Sequence, residues 1–327
     1  MSAIVQSSLA LPLAMLAWLG RQGTRAVAAL VFIGIAIPPI GAVFKPYVTE
    51  AIFVLLCISF MRVDIMALRD YLARPALVIA ATFWSAIAIP LLFGLGGVVS
   101  GLDKGSPDLF LGLMLQAVAS PMMAAPALAA LMGLDATLVL ITLVTGTALV
   151  PFSAPLFAWL FFGSASTLSP FALGLKLLAM LTGAIAVAAV VRRWVGADAI
   201  VRHKQPIDGF NILVMLVFMS AMMGTVAASF WAAPVHVLLL TVFAFVIFAG
   251  LLAVTALVFR KAGQERALAL GLMASQRNMG LMLAATDGAL PGLTWLYFAL
   301  AQFPIYVSPQ LLKPLVRRLR GASTAAP

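Results

Sequence analysis

Stretches of about twenty or more mostly apolar residues recur ten times along this chain, at residues 26–44, 47–66, 75–99, 108–132, 135–163, 168–191, 209–230, 234–259, 265–287 and 291–313. Each is long enough for an α-helix to cross the hydrocarbon core of a bilayer, which takes about 20 residues. A chain of 327 residues that is 64% hydrophobic and 9% charged carries more apolar surface than one water-soluble core can bury. Lipid is the solvent such a sequence calls for. The alternating segments of a membrane barrel are absent. The expected fold is therefore all-α and polytopic, with ten transmembrane helices.

The net charge is +10. On a soluble domain a basic balance would point to nucleic acid. Here the positive residues sit in short connections between apolar stretches, so no nucleic-acid partner is expected. With a cytoplasmic N-terminus, the inner connections hold Arg21 and Arg25; Arg62, Arg69 and Arg74; Arg192, Arg193, Arg202 and Lys204; and Arg260, Lys261 and Arg266. A basic tail adds Lys313, Arg317, Arg318 and Arg320. The outer connections hold only Lys45 and Lys104, while Lys176 and Arg277 lie inside apolar stretches. This asymmetry predicts a multi-pass protein of the cell inner membrane with both termini cytoplasmic. Residues 1–24 are apolar at first but lack the basic start of a signal peptide, and they read as an interfacial segment on the bilayer. Cys57 is the single cysteine, which excludes a disulfide within one chain.

Five stretches fill residues 25–163 and five more fill residues 164–313, followed by the basic tail 314–327. An odd number per half makes the second half enter the membrane from the opposite side, the arrangement of an inverted-topology repeat. A weak internal echo agrees: Pro151 in the fifth stretch is matched by Pro304 in the tenth, and Ser120-Pro121 in the fourth by Ser275-Gln276-Arg277-Asn278 in the ninth, at nearly the same spacing.

Those fourth and ninth stretches hold the candidate site. Gln116 precedes Ser120-Pro121, and Pro126 follows five positions after the first proline. Each proline removes a backbone donor from the helical ladder, and in lipid the released carbonyls need other partners. The segment reads either as a plain proline kink or as an unwound stretch lining a cavity. In the ninth stretch four consecutive polar residues, Ser275, Gln276, Arg277 and Asn278, stand before Gly280 amid apolar neighbours. An arginine at mid-bilayer costs about 2.5–3.5 kcal/mol on insertion scales, so it marks either a functional site or a helix–helix hydrogen-bond knot. If both helices break at one level, their half-helix ends converge, freed N–H groups face anions and freed carbonyls face cations. Thr142, Thr145 and Thr147 lie in the fifth stretch, where back-bonding to their own helix competes with a role at the fourth. Lys176 is expected to snorkel outward and Asp287 to lie at the interface. No catalytic residue, metal cluster or cofactor motif emerges.

At these residues the chain resembles the bile acid:sodium symporter family. The likeness runs from Phe60-Met61-Arg62-Val63-Asp64 through Asp70-Tyr71-Leu72-Ala73-Arg74-Pro75 to Ile89-Pro90-Leu91-Leu92. It continues from Ser120-Pro121 through Gly133-Leu134-Asp135 to Pro151 and Pro155, and it includes Arg277-Asn278-Met279-Gly280-Leu281, similar to an Asn-x-Gly-Leu element. The resemblance implies two inverted five-helix repeats with discontinuous helices 4 and 9 crossing. It further implies a core of helices 3–5 and 8–10 that moves against a panel of helices 1, 2, 6 and 7, alternating access, and amphipathic or carboxylated organic anions as substrates. It implies sodium as the coupling ion, but this chain departs from the family there. The family's carboxylate before the Asn-x-Gly-Leu element falls near Met273, an expected glutamine falls near Ser85, and Met122, Met123, Ala124, Ala125 and Pro126 supply no side-chain oxygen. These losses put sodium coupling in doubt. Arg277 would instead supply the fixed positive charge that a bound cation supplies elsewhere, and either hold an anionic substrate or brace the crossover.

The expectation is a secondary active transporter of a small organic anion. The alternatives are a proton-coupled or facilitative carrier of another solute, or a membrane sensor or scaffold. An enzyme is not expected, since Ser120 has no histidine in its region and no paired carboxylates lie at mid-membrane.

Overall fold

The computed structural model describes residues 3–62, 75–162 and 169–324. Outside them lie Val63–Arg74, with Arg69, Arg74 and most of the basic-loop motif, the connection 163–168 where the two expected repeats meet, and the last three residues. Among the described residues every named element is helical, and the extended backbone reduces to one isolated bridge between Pro121 and Arg277. Six helical runs are long and apolar enough to cross a bilayer: Pro38–Met61, Pro75–Val99, Ala136–Phe162, Pro170–Val195, Lys204–Ala232 and Pro234–Val258. Val99, Trp194, Trp231 and Phe171 are each at least 80% exposed. Large apolar side chains left open along span-length helices are what a lipid-facing surface requires. This is an all-α membrane protein.

Proline and glycine set where the helices begin and end. Proline stands at the first positions of Pro38–Phe44, Pro107–Val118, Ala125–Leu131 and Pro234–Val258, where its missing N–H is not needed. Gly101, Gly133, Gly196, Gly263 and Gly288 take positive φ in the turns between helices. Two boundaries differ from expectation. The expected first span is two helical pieces that meet at Ile37 (φ −128°, ψ 70°), because a residue before proline avoids helical geometry and Pro38-Pro39 follows. The last helix does not stop at residue 313 but continues from Gly292 to Thr324.

The chain divides into two compact units, one of residues 1–63 and 180–232, the other of residues 64–179 and 233–327. In the first, Ala3–Ala36 lies along Lys204–Met223 in the same direction. Gly20 sits against Gln205 and Gly209, while Gly34 sits against Met219 and Met223. The approach leaves no room for a side chain: a Cβ on Gly209 would stand 1.9 Å from the carbonyl oxygen of Leu16. Gly23 leaves helical geometry inside the first of these helices (φ 51°, ψ −128°), at the point where the expected N-terminal segment gives way to the first span. An ion pair, Arg62–Asp208 at 2.6 Å, and Arg192 donating to the carbonyl of Met61 at 3.2 Å hold the polar end of this unit.

The second unit contains two broken helices of matching form. Pro107–Val118 and Ala125–Leu131 have 12 and 7 residues, and so do Gln264–Ser275 and Met279–Ala285. A turn with a positive-φ glycine follows each pair, at Gly133 and Gly288, and a long helix comes next, Ala136–Phe162 or Gly292–Thr324. Every residue of Met279–Ala285 is buried, as expected of a helix that is apolar all round. Small residues let these pieces pack closely. Ala125, Ala129, Ala267 and Ala269 share a core with Leu138, Val139, Leu270 and Met273.

Candidate functional site

The two breaks meet. The first spans residues 119–124 and the second residues 276–278. They run antiparallel for one residue pair and exchange two backbone hydrogen bonds: Met122 N–H donates to the carbonyl of Gln276 (2.6 Å), and Asn278 N–H donates to the carbonyl of Ser120 (2.8 Å). The sequence explains why the backbone can do this. Pro121 has no N–H to continue the first helix, and Pro126 allows a new helix to start just after the break. Asn278 caps the second restart, its Oδ1 accepting from Leu281 N–H at 3.3 Å. Each break therefore satisfies donors and acceptors that the other leaves open, and two unwound segments persist in a buried region.

Arg277 lies at this crossing and is 2% exposed. Its Nη1 donates to the carbonyl of Ala119 (2.9 Å), the Ser85 hydroxyl (3.1 Å) and the Ser85 carbonyl (3.4 Å); Nη2 also reaches the Ser85 carbonyl at 3.4 Å. Its Nε has no hydrogen-bond partner among the described residues, and it joins none of the ion pairs found there. Both carbonyls are free for a stated reason. Ala119 ends its helix in extended geometry (φ −59°, ψ 145°). Ser85 lies in a π-helical turn, Trp84–Ala88, where Ile89 N–H is drawn back to the carbonyl of Trp84. The next residue that could serve the Ser85 carbonyl is Pro90, which has no N–H. A proline thus follows each of these oxygen sources, Pro121 two residues after Ala119 and Pro90 five after Ser85.

The other expected residues divide into those at the crossing and those used elsewhere. Ser120 and Pro121 form the bridge, and the buried Ser120 hydroxyl has no partner among the described residues. Gln276 is fully buried, with its amide donating to the carbonyl of Ile305 (3.1 Å) and its Oε1 unpartnered. Ser275 turns back to the carbonyl of Leu272 at 2.9 Å. Gln116 accepts from the Tyr297 hydroxyl, a contact that joins Pro107–Val118 to Gly292–Thr324. Thr145 contacts Thr82 at 2.7 Å and back-bonds to the carbonyl of Ile141, so its hydroxyl serves helix packing. Thr147 is buried with an unpartnered hydroxyl, as is Thr142. Between Thr145 and Thr147, Gly146 is the residue that faces the Pro121 ring. Lys176 does not simply reach outward but pairs with Asp287, which takes a positive φ of 52°. The residues missed from sequence are Ser85 and Ala119 as carbonyl donors of electron density and Tyr297 as the partner of Gln116. Pro90, placed five residues after Ser85, was the available signal for the first.

No protein-family model matches the chain, and no curated protein matches it.

Proposed function

We propose that this chain is a secondary carrier of a small organic anion, of the bile acid:sodium symporter type. In this reading ten helices form two inverted five-helix repeats in the cell inner membrane, both termini are cytoplasmic, and transport is by alternating access. The observation that carries the reading is the crossing of two broken helices around a buried guanidinium with no carboxylate partner among the described residues. Interrupted helices within membrane depth are tolerated where protein or a cavity surrounds them, and transporters build solute sites there. The uncompensated positive charge favours an anionic solute. The 12-and-7-residue pattern, present twice with a glycine turn after each copy, supports the repeat. The two compact units group helices 1, 2, 7 and most of 6 apart from helices 3–5 and 8–10, the same partition as the panel and core that the resemblance implies.

Sodium does not fit as a resident ion of the crossing. After Ser120 and Pro121 the break residues Met122, Met123 and Ala124 carry no side-chain oxygen, and the carbonyls of Ser85 and Ala119 accept from Arg277. The test is uptake and counterflow in sodium-free proteoliposomes, with a panel of radiolabelled carboxylates and sulfonates. Saturable uptake of one anion, accelerated by the same anion preloaded inside, is the expected result. Saturable uptake of a neutral or cationic solute alone would replace the substrate class. No uptake of any solute class would favour the sensor or scaffold reading.

A further inference from the structure

Arg277 donates into a cluster of oxygens that backbone irregularities leave open. Its hydrogen-bond partners among the described residues are all oxygens: the carbonyl of Ala119 at 2.9 Å, the Ser85 hydroxyl at 3.1 Å and the Ser85 carbonyl at 3.4 Å. These oxygens come from two separate segments, and the charge they surround comes from a third. Each carbonyl was released by a break in regular helix rather than by the arginine, so the oxygen cluster is a property of the backbone. Converging carbonyl and hydroxyl oxygens are the ligand type that a hard cation takes. The guanidinium answers them with two of its nitrogens while its charge stays uncompensated by any carboxylate among the described residues.

We propose that Arg277 is the resident cation of the crossover. It is a covalently tethered ion seated in a monovalent-cation site made by Ser85 and Ala119. The tether makes the assembly of the crossover independent of dissolved sodium and closes the site to any dissolved monovalent cation. Removing the guanidinium opens that site. This stands on the oxygen cluster and does not depend on which solute the chain carries or on whether it carries one.

The test reads cation binding, not uptake, so its outcome is separate from that of the transport assay. Thermal unfolding of detergent-purified wild type, R277K and R277Q is followed as sodium chloride replaces choline chloride at constant ionic strength, and again with added guanidinium at millimolar concentration. Wild type and R277K, which keep a tethered charge, are expected to melt at the same temperature in both salts. R277Q offers the carbonyls neutral donors only, and its melting temperature is expected to rise saturably with sodium or guanidinium. The rise is roughly 4 °C at a hundredfold excess over Kd. A saturable sodium-dependent rise in the wild type overturns the proposal whatever the variants do. So does a folded R277Q that ignores every cation, and so does an R277Q that folds in neither sodium nor guanidinium.

Discussion

Ser85→Ala removes one acceptor of Arg277 and nothing else of size. A hydrogen bond to a charged group contributes about 1.5–3 kcal/mol. Nη1 keeps the Ala119 carbonyl at 2.9 Å, so the loss belongs near the low end, about 1.5 kcal/mol. Arg277→Met alone has no diagnostic sign. It strands the Ser85 and Ala119 carbonyls, at about 1–3 kcal/mol each, but it also relieves a buried charge whose desolvation opposes folding. A double-mutant cycle cancels both effects. On the Arg277→Met background the Ser85 hydroxyl has lost its donor, and Ser85→Ala is expected to cost about zero, leaving a coupling near 1.5 kcal/mol. The measurement is reversible unfolding in mixed micelles, with the six tryptophans of the chain as reporters. If Ser85→Ala costs the same in both backgrounds, within about 0.5 kcal/mol, the hydroxyl does not hold the guanidinium and the oxygen cluster described here is wrong.

Two glycine substitutions separate close approach from open space. Gly209→Ala would place a Cβ 1.9 Å from the Leu16 carbonyl oxygen, against backbone that cannot rotate away, and is expected to cost more than the ~3 kcal/mol upper range of ordinary overpacking. Gly250→Ala meets no atom within 4 Å and is expected to leave the melting temperature unchanged or to raise it, by up to about 1 kcal/mol of helix propensity; similar losses at both positions would refute the packing of Ala3–Ala36 on Lys204–Met223. Tyr297→Phe leaves Gln116 Oε1 without its donor while keeping the ring near Phe243, so unfolding in detergent should show a loss of about 1–3 kcal/mol, most of it recovered in the Gln116→Leu/Tyr297→Phe double variant.

The sequence made the membrane class legible because apolar length is a local property. Stretches such as 75–99 and 234–259 end within a residue of the helical runs Pro75–Val99 and Pro234–Val258. The interruptions at Ser120-Pro121 and at Ser275–Asn278 were legible too, since proline and a polar run in lipid each signal a broken ladder. What holds Arg277 was not. Ser85 was weighed only for the glutamine it replaces, whereas the structure uses both its hydroxyl and its main-chain oxygen, the latter released by a π turn that depends on the register of hydrogen bonds up to Pro90. Thr145 was placed with the site by its position in the chain, but its contact with Thr82 is set by the rotation of one helix against another, which periodicity in an evenly apolar helix does not reveal. Ile37 fell inside a continuous apolar stretch, and only the two prolines after it marked the break.

The bridge between the two breaks has a consequence for how the protein is made. Ala119 and Arg277 are 158 residues apart in the chain, and the donors to the Ala119 and Ser120 carbonyls come from the second break. At about 5–20 residues per second, ribosomal synthesis leaves roughly 8–30 s between the emergence of one partner and the other. Throughout that interval the donors that the Ala119 and Ser120 carbonyls have in the folded chain are not yet made. The bridge between the breaks is therefore a contact that the chain can close only after the second break has been synthesised.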